Sequence, residues 1–288
     1  MKNILVAVDF SKEATNAAHF AAELAKRLDA QLTLFFVFHV PVPISEVPYP
    51  IDFERLEQEN KEILGAIALE IESEHHLTAR QRSVPGFAVD EILDEVSGGK
   101  YDLVVMGMRG AGGKLSQLLG STTVAVMRRS QVPVLAVPAL AHFKAPEKIV
   151  LTCDFHEVNH PEVFSILTSL SKRFHASISL LNVFAPGEAP EKKKAIEGIK
   201  LERYLEGVDH RFYFEEEEQV EQGIDNYLNT HPSDLLVIIP HEHSLIDRLF
   251  FKTHTKKLML HATIPVLTLP DKTKAPKLWM NEAGSGAQ

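Results

Sequence analysis

The chain has 288 residues, 45% of them hydrophobic and 24% charged, and a net charge of −9. This is globular composition with length for two ordinary domains, and the acidic balance argues against general nucleic-acid binding, which needs a basic face, while leaving room for a local basic patch. A single cysteine, Cys153, excludes an intrachain disulfide and fits a reducing compartment.

Residues 3–8 form an apolar run rich in branched side chains, which reads as a buried strand. The run is too short for a signal sequence and meets Asp9 at once. No uninterrupted apolar stretch approaches a membrane span, so the expected location is the cytoplasm, away from any membrane. Ser11 stands at a helix N-cap, and Ala14, Ala17, Ala18, Ala21, Ala22, Leu24, Ala25 and Leu28 follow at helical spacing. Residues 31–38 predict a strand, 53–74 a long helix, 80–84 a weaker strand and 88–96 a helix. A strand over 103–106, a helix over 116–130 and a strand over 134–137 close the unit. Such alternation implies a parallel sheet covered on both faces and doubly wound by right-handed crossovers.

The series then recurs. Ile4-Leu5-Val6-Ala7-Val8-Asp9-Phe10 matches Ile149-Val150-Leu151-Thr152-Cys153-Asp154-Phe155, and Ala25-Lys26-Arg27-Leu28 matches Ser171-Lys172-Arg173-Phe174. Tyr101-Asp102-Leu103-Val104-Val105 matches Ser233-Asp234-Leu235-Leu236-Val237. Val132-Pro133-Val134-Leu135-Ala136-Val137-Pro138 matches Ile264-Pro265-Val266-Leu267-Thr268-Leu269-Pro270. Four matches in one order mark a duplicated domain. The expected division is 1–140 and 146–270, with five strands in each part. Second-half strands are expected near 149–153, 177–183, 211–215, 235–239 and 266–269, with a shorter second helix around 190–206. The link over 139–146 reads as a plain connector. The tail over 271–288, with Trp279 and a Gly-Ser-Gly-Ala-Gln ending, reads as disordered.

The informative segment is Met106-Gly107-Met108-Arg109-Gly110, continuing through Lys114 to Gly120-Ser121-Thr122. It leaves the carboxyl end of a predicted strand, the edge where parallel sheets hold ligands. Gly107 and Gly110 would carry the chain over the strand end, glycine allowing close approach of backbone to phosphate. Gly120-Ser121-Thr122 would open or continue the next helix, where free N–H groups and hydroxyls can hold an anion. Neither a Walker loop nor a dinucleotide fingerprint is present.

The Gly107-x2-Gly110-x9-Gly120-Ser121 spacing resembles the phosphate loop of ATP-binding universal stress proteins. The opening strand with Asp9 and the Val-Pro-Val-Leu-Ala-Val-Pro ending of 132–138 are similar to that family's first and last strands, and the likeness extends over both copies. The resemblance implies two tandem doubly wound, Rossmann-like domains of the adenine nucleotide alpha hydrolase type. It implies an ATP site with Mg²⁺ or Mn²⁺: Ala7, Val8, Asp9 and Val37 at the adenosine, Met106, Gly107, Arg109 and Gly110 in the first part of the phosphate loop, and Gly120, Ser121 and Thr122 in its second. A strand-end carboxylate such as Asp9 can accept hydrogen bonds from ribose hydroxyls or an adenine amine; equally, it can be a helix N-terminal acid stabilised by the macrodipole.

In the second copy Ile239 falls opposite Gly107, Glu242 opposite Gly110 and Lys252-Thr253 opposite Gly120-Ser121. Asp154 and Val183 persist at the positions of Asp9 and Val37, so an adenosine-like pocket is kept open as a reading while phosphate binding is not. Family members commonly dimerise, which makes 134–137 and 266–269 candidates for pairing across a pseudo-twofold axis and leaves a homodimer open. His241-Glu242-His243, with His254 and His261, offers a rival zinc reading, although solvated histidines explain the spacing better. Glu215–Glu218 reads as a solvated run at a helix start, and Cys153 as an inert core thiol. No catalytic residue is assigned. The expected function is an ATP-binding stress-response regulator acting on an unidentified protein partner; a slow ATPase and a zinc- or small-ligand scaffold working through the second domain are the alternatives.

Overall fold

A computed structural model describes residues 1–39, 53–108, 120–153, 164–187, 201–239 and 264–270. The first half runs β1 (Asn3–Val8), α1 (Lys12–Leu28), β2 (Gln31–Phe38), α2 (Phe53–His75), β3 (Ala79–Pro85), α3 (Ala88–Ser97), β4 (Leu103–Met108), α4 (Ser121–Arg129) and β5 (Val134–Pro138). The second half shows β6 (Lys148–Thr152), α5 (Ser165–Phe174), β7 (Ser177–Phe184), β8 (His210–Glu216), α6 (Val220–Thr230), β9 (Leu235–Ile238) and β10 (Val266–Thr268). Among the described residues no helix is long and apolar enough to cross a membrane. The expected tail, Trp279, Asp154, most of the 190–206 helix and the 241–261 histidines lie outside these residues.

The ten strands of the described residues join one sheet in the order β3-β2-β1-β4-β5-β10-β9-β6-β7-β8. The two halves use one strand order read in opposite directions from the middle. Every pair is parallel except β5–β10, which is antiparallel, with Leu135 opposite Leu267. The doubly wound α/β reading therefore holds, and the two closing strands meet as their repeat positions suggested. Helices α1, α2 and α5 cover one face of the sheet, and α3, α4 and α6 the other. This sidedness explains the strands: Ile4, Leu5 and Val6 are fully buried because each face of β1 has its own layer.

The buried face of α1 is mostly alanine: Ala17, Ala18, Ala21, Ala22 and Ala25 have no exposed surface. Small side chains let the helix lie close to the sheet. Ser11 caps it as expected, Oγ accepting from the Ala14 N–H at 3.2 Å.

The link between halves is more than a connector. Asn16 of α1 donates from Nδ2 to the carbonyls of Pro138 and Ala141, both at 3.0 Å. Phe143 sets its ring edge-on to Phe20 at 5.2 Å and lies 6.3 Å from Phe174. It thus bridges α1 and α5, a role its sequence neighbours do not announce. Cys153 sits one residue past β6, half-buried rather than in the core. Glu215 and Glu216 end β8 instead of opening a helix.

The repeated aspartates have a shared structural task. Asp102 Oδ2 accepts from the Lys2 and Asn3 N–H groups at 2.6 and 2.9 Å; Asp234 Oδ2 accepts from Glu147 and Lys148 at 2.9 and 3.0 Å. Each acid, just before the fourth strand of its half, pins the start of the first. Burial raises the Asp234 pKa, but the N–H bonds and Lys144, 3.1 Å away, outweigh it and hold the carboxyl below its ordinary value. A carboxyl depressed in the fold stabilises above its unfolded pKa of about 4 and loses that contribution as pH falls through the folded value. Asp234→Asn should therefore cost about 1–2 kcal/mol at neutral pH, with the gap to wild type closing below about pH 4. Denaturant melts at several pH values check this, and a gap that persists in acid contradicts it.

Candidate functional site

The connections β1-α1-β2-α2-β3 pass over one face and those through α3 and α4 over the other, so the winding reverses between β1 and β4. Chains diverging at such a switch point leave a crevice at the carboxyl ends of the strands, where open α/β sheets take ligands. A cavity of about 180 Å³ lies there.

Its walls come from six elements. Ala7, Val8 and Asp9 end β1; Ser11, Glu13 and Ala14 open α1; Phe35 and Val37 come from β2. Ala88 and Ile92 come from α3, Met106 and Gly107 from β4, and Gly120 with Ser121, Thr122 and Thr123 from the start of α4. Of the residues singled out from sequence, Ala7, Val8, Asp9, Val37, Met106, Gly107, Gly120, Ser121 and Thr122 are brought together in this one cavity. Arg109 and Gly110 lie outside the described residues.

Two expectations are corrected in detail. β4 runs on through Gly107 to Met108, with Gly107 opposite Val137, so Gly107 belongs to the sheet and not to a loop. Its missing side chain serves packing: a Cβ there would stand 2.6 Å from the Glu13 carbonyl oxygen and 2.7 Å from its carbon. The following helix does not pass through Gly120. That residue is extended (φ −60°, ψ 146°) and is the N-cap of α4.

The two ends of the cavity differ in chemistry. At the α1 end, Asp9 Oδ1 accepts from the Ser11 N–H at 3.0 Å and from the Ser11 hydroxyl, while Oδ2 has no partner among the described residues. Asp9 is thus both a buttress of the N-cap and an acceptor facing a cavity. Phe10 between them has φ 62°, a costly conformation for a bulky residue. Its ring packs 4.2 Å from Phe36, and the turn aims Asp9 and Ser11 to one side. At the α4 end, no side chain among the described residues caps the helix and no acid lies in its first turn. The Thr123 hydroxyl donates to the Gly107 carbonyl at 3.1 Å and ties helix to strand. The first turn of α4, the positive end of the helix dipole, lines the crevice. Between these ends lie the apolar Ala7, Phe35, Val37, Ala88 and Ile92.

Phe35, Ala88 and Ile92 carry no motif and were missed from sequence. Only the period-2 face of β2 and the helical face of α3 could have indicated them.

The second half differs at the matching place. By strand register Val183 is the counterpart of Val37. There α6 approaches so closely that a Cβ on Gly223 would stand 2.5 Å from Val183 Cγ1. Helix and strand meet where the first half has a cavity wall. Ile239, where the first half has Gly107, is buried.

Sheet order, sidedness and crevice define a Rossmann-like α/β protein. The family profile described as "Universal stress protein family" matches residues 1–138. A universal stress protein of Thermus aquaticus is 34% identical over 142 residues, covering 47% of this chain and 98% of the relative. A universal stress protein of Synechocystis is 24% identical over 300 residues, covering 93% of this chain and 99% of its own. A universal stress protein crystal structure from Archaeoglobus fulgidus superposes with a TM-score of 0.72 at 16% identity, over 93% of this chain and 98% of that one, and so shares the whole fold. The chain belongs to the universal stress protein family.

Proposed function

We propose that the first half binds one ATP in the β1–β4 crevice, and that occupancy regulates a protein partner in a stress response. The observation that carries the reading is the cavity's division. An apolar strip suits an adenine, the Asp9 carboxylate suits ribose hydroxyls, and the uncapped α4 end suits phosphates. Asp9 and Glu13 are both among the lining residues. A polyphosphate in that setting calls for a divalent cation, Mg²⁺ or Mn²⁺, to offset its charge.

The decisive position is Gly120. A Cβ built there meets nothing within 4 Å, so Gly120→Glu places a carboxylate at the helix end without crowding the fold. Calorimetric titration of the wild type with MgATP should show one site per chain. Gly120→Glu should weaken binding at least tenfold with an unchanged melting temperature, as should removal of divalent cation by EDTA. Unchanged ATP affinity in the variant rejects the site.

A further inference from the structure

The seam between α1 and α2 holds a side-chain cluster that the nucleotide reading does not use. His19 of α1 sets Nδ1 2.9 Å from Nε2 of His75, the last residue of α2. Glu74 Oε2 lies 3.2 Å from His19 Nδ1 and 3.9 Å from His75 Nε2. A tetrahedral zinc ion with bonds of about 2.0–2.1 Å holds its ligand atoms about 3.3 Å apart. The three observed separations bracket that value.

The surroundings orient the imidazoles. His75 Nδ1 is 2.8 Å from Glu23 Oε1. A carboxylate only accepts, so the hydrogen between them sits on Nδ1 and the neutral ring presents a lone pair at Nε2. That is the carboxylate–histidine arrangement that fixes metal-binding imidazoles. On His19 the far nitrogen, Nε2, has Glu70 Oε1 at 3.7 Å. His19 Nδ1 then faces two acceptors at once, and a cation between the three groups satisfies all of them. Both imidazoles are mostly buried, with 22% and 12% side-chain exposure, while Glu74 at 57% leaves one side open to solvent. The opening gives onto a groove shared with Asn16 and with His142 of the link. The C-terminal end of α2, with its partial negative charge, also favours a cation.

We propose that His19, Glu74 and His75 form a zinc site, with Glu23 positioning His75 and a fourth coordination place open to the groove. Two imidazoles and a carboxylate suit zinc over magnesium or calcium. Bound there, the ion fastens the end of α2 to the helix whose first turn lines the nucleotide crevice.

The test uses the full chain, stripped with a chelator and titrated with Zn²⁺ by calorimetry and with Co²⁺ as the optical probe. Uptake of one equivalent, with the d–d absorption of four-coordinate cobalt, is expected, and zinc should raise the melting temperature. His19→Ala/His75→Ala should abolish all three signals. Glu74→Gln alters an exposed side chain, so the fold is kept while the cobalt spectrum is lost or displaced. Glu23→Gln should weaken zinc binding about 10–100-fold. His241→Ala/His243→Ala and Gly120→Glu should leave uptake intact. The proposal is overturned if no equivalent of zinc is taken up, if uptake survives His19→Ala/His75→Ala, or if it disappears in His241→Ala/His243→Ala.

Discussion

Replacing Gly107 with valine is expected to destabilise the protein by about 1–3 kcal/mol, the usual cost of overpacking, and to weaken ATP binding together with it. The added Cβ would stand 2.6 Å from a backbone carbonyl oxygen, and 3.0 Å from the Ala14 nitrogen as well. No rotamer relieves that contact, because both partners are main chain. Relief requires the first turn of α1 to lift away from β4. That turn carries the Ala14 N–H that Ser11 Oγ caps, and Ser11 in turn bonds Asp9. Movement there therefore reaches the crevice through Ser11, Asp9, Glu13 and Ala14, all of them cavity walls. Thermal melts and MgATP titration of Gly107→Ala and Gly107→Val should show losses that grow with side-chain size. Gly120→Ala is the matched control: with open space around it and an ordinary φ, it should leave the melting temperature unmoved. Wild-type stability in Gly107→Val would show that α1 is not seated on β4 as described.

The contrast between these glycines shows what was legible in the chain. Both belong to one spaced pattern, and folding brings both to one crevice. The pattern could not tell that Gly107 is glycine because a helix rests on it, whereas Gly120 leaves a helix end open. The first depends on α1, which is nearly a hundred residues away in sequence and close only after folding. Features decided locally were read well: the bounds of β1 and β2, the Ser11 cap and the alanine face of α1 all follow from neighbouring residues. Features decided by tertiary approach were not. The wall of Ala88 and Ile92, the bridge made by Phe143, and the meeting of His19 with His75 each need elements that the sequence does not place side by side. Single histidines on two amphipathic helices carry no spacing signal until the helices are packed.

Residues 1–140 expressed alone should form a homodimer through β5, the strand at the middle of the sheet. In the intact chain β5 is buried along its whole length, partly under β10. Removing the second half would leave an apolar edge strand with unpaired N–H and C=O groups, which invites another strand. The observed register says which strand fits. Val134 pairs with Thr268, Leu135 with Leu267 and Ala136 with Val266. By the sequence repeat, Val266, Leu267 and Thr268 are the counterparts of Val134, Leu135 and Ala136. The junction is therefore already a pseudo-twofold pairing centred on leucine, and a second β5 can occupy the place of β10 with Leu135 facing its own copy. One interaction would be missing. The Thr268 hydroxyl donates to the Val134 carbonyl at 3.3 Å, and Ala136 has no hydroxyl to offer. A136T in the isolated half would restore that bond at both ends of the symmetric pair and should tighten the dimer by about 1–3 kcal/mol, two hydrogen bonds at ordinary net worth. Sedimentation equilibrium of the two fragments measures both effects. A half that stays monomeric at tens of micromolar, or an A136T fragment no tighter than its parent, would mean that the junction is held by the tether between the halves and not by the complementarity of the strands.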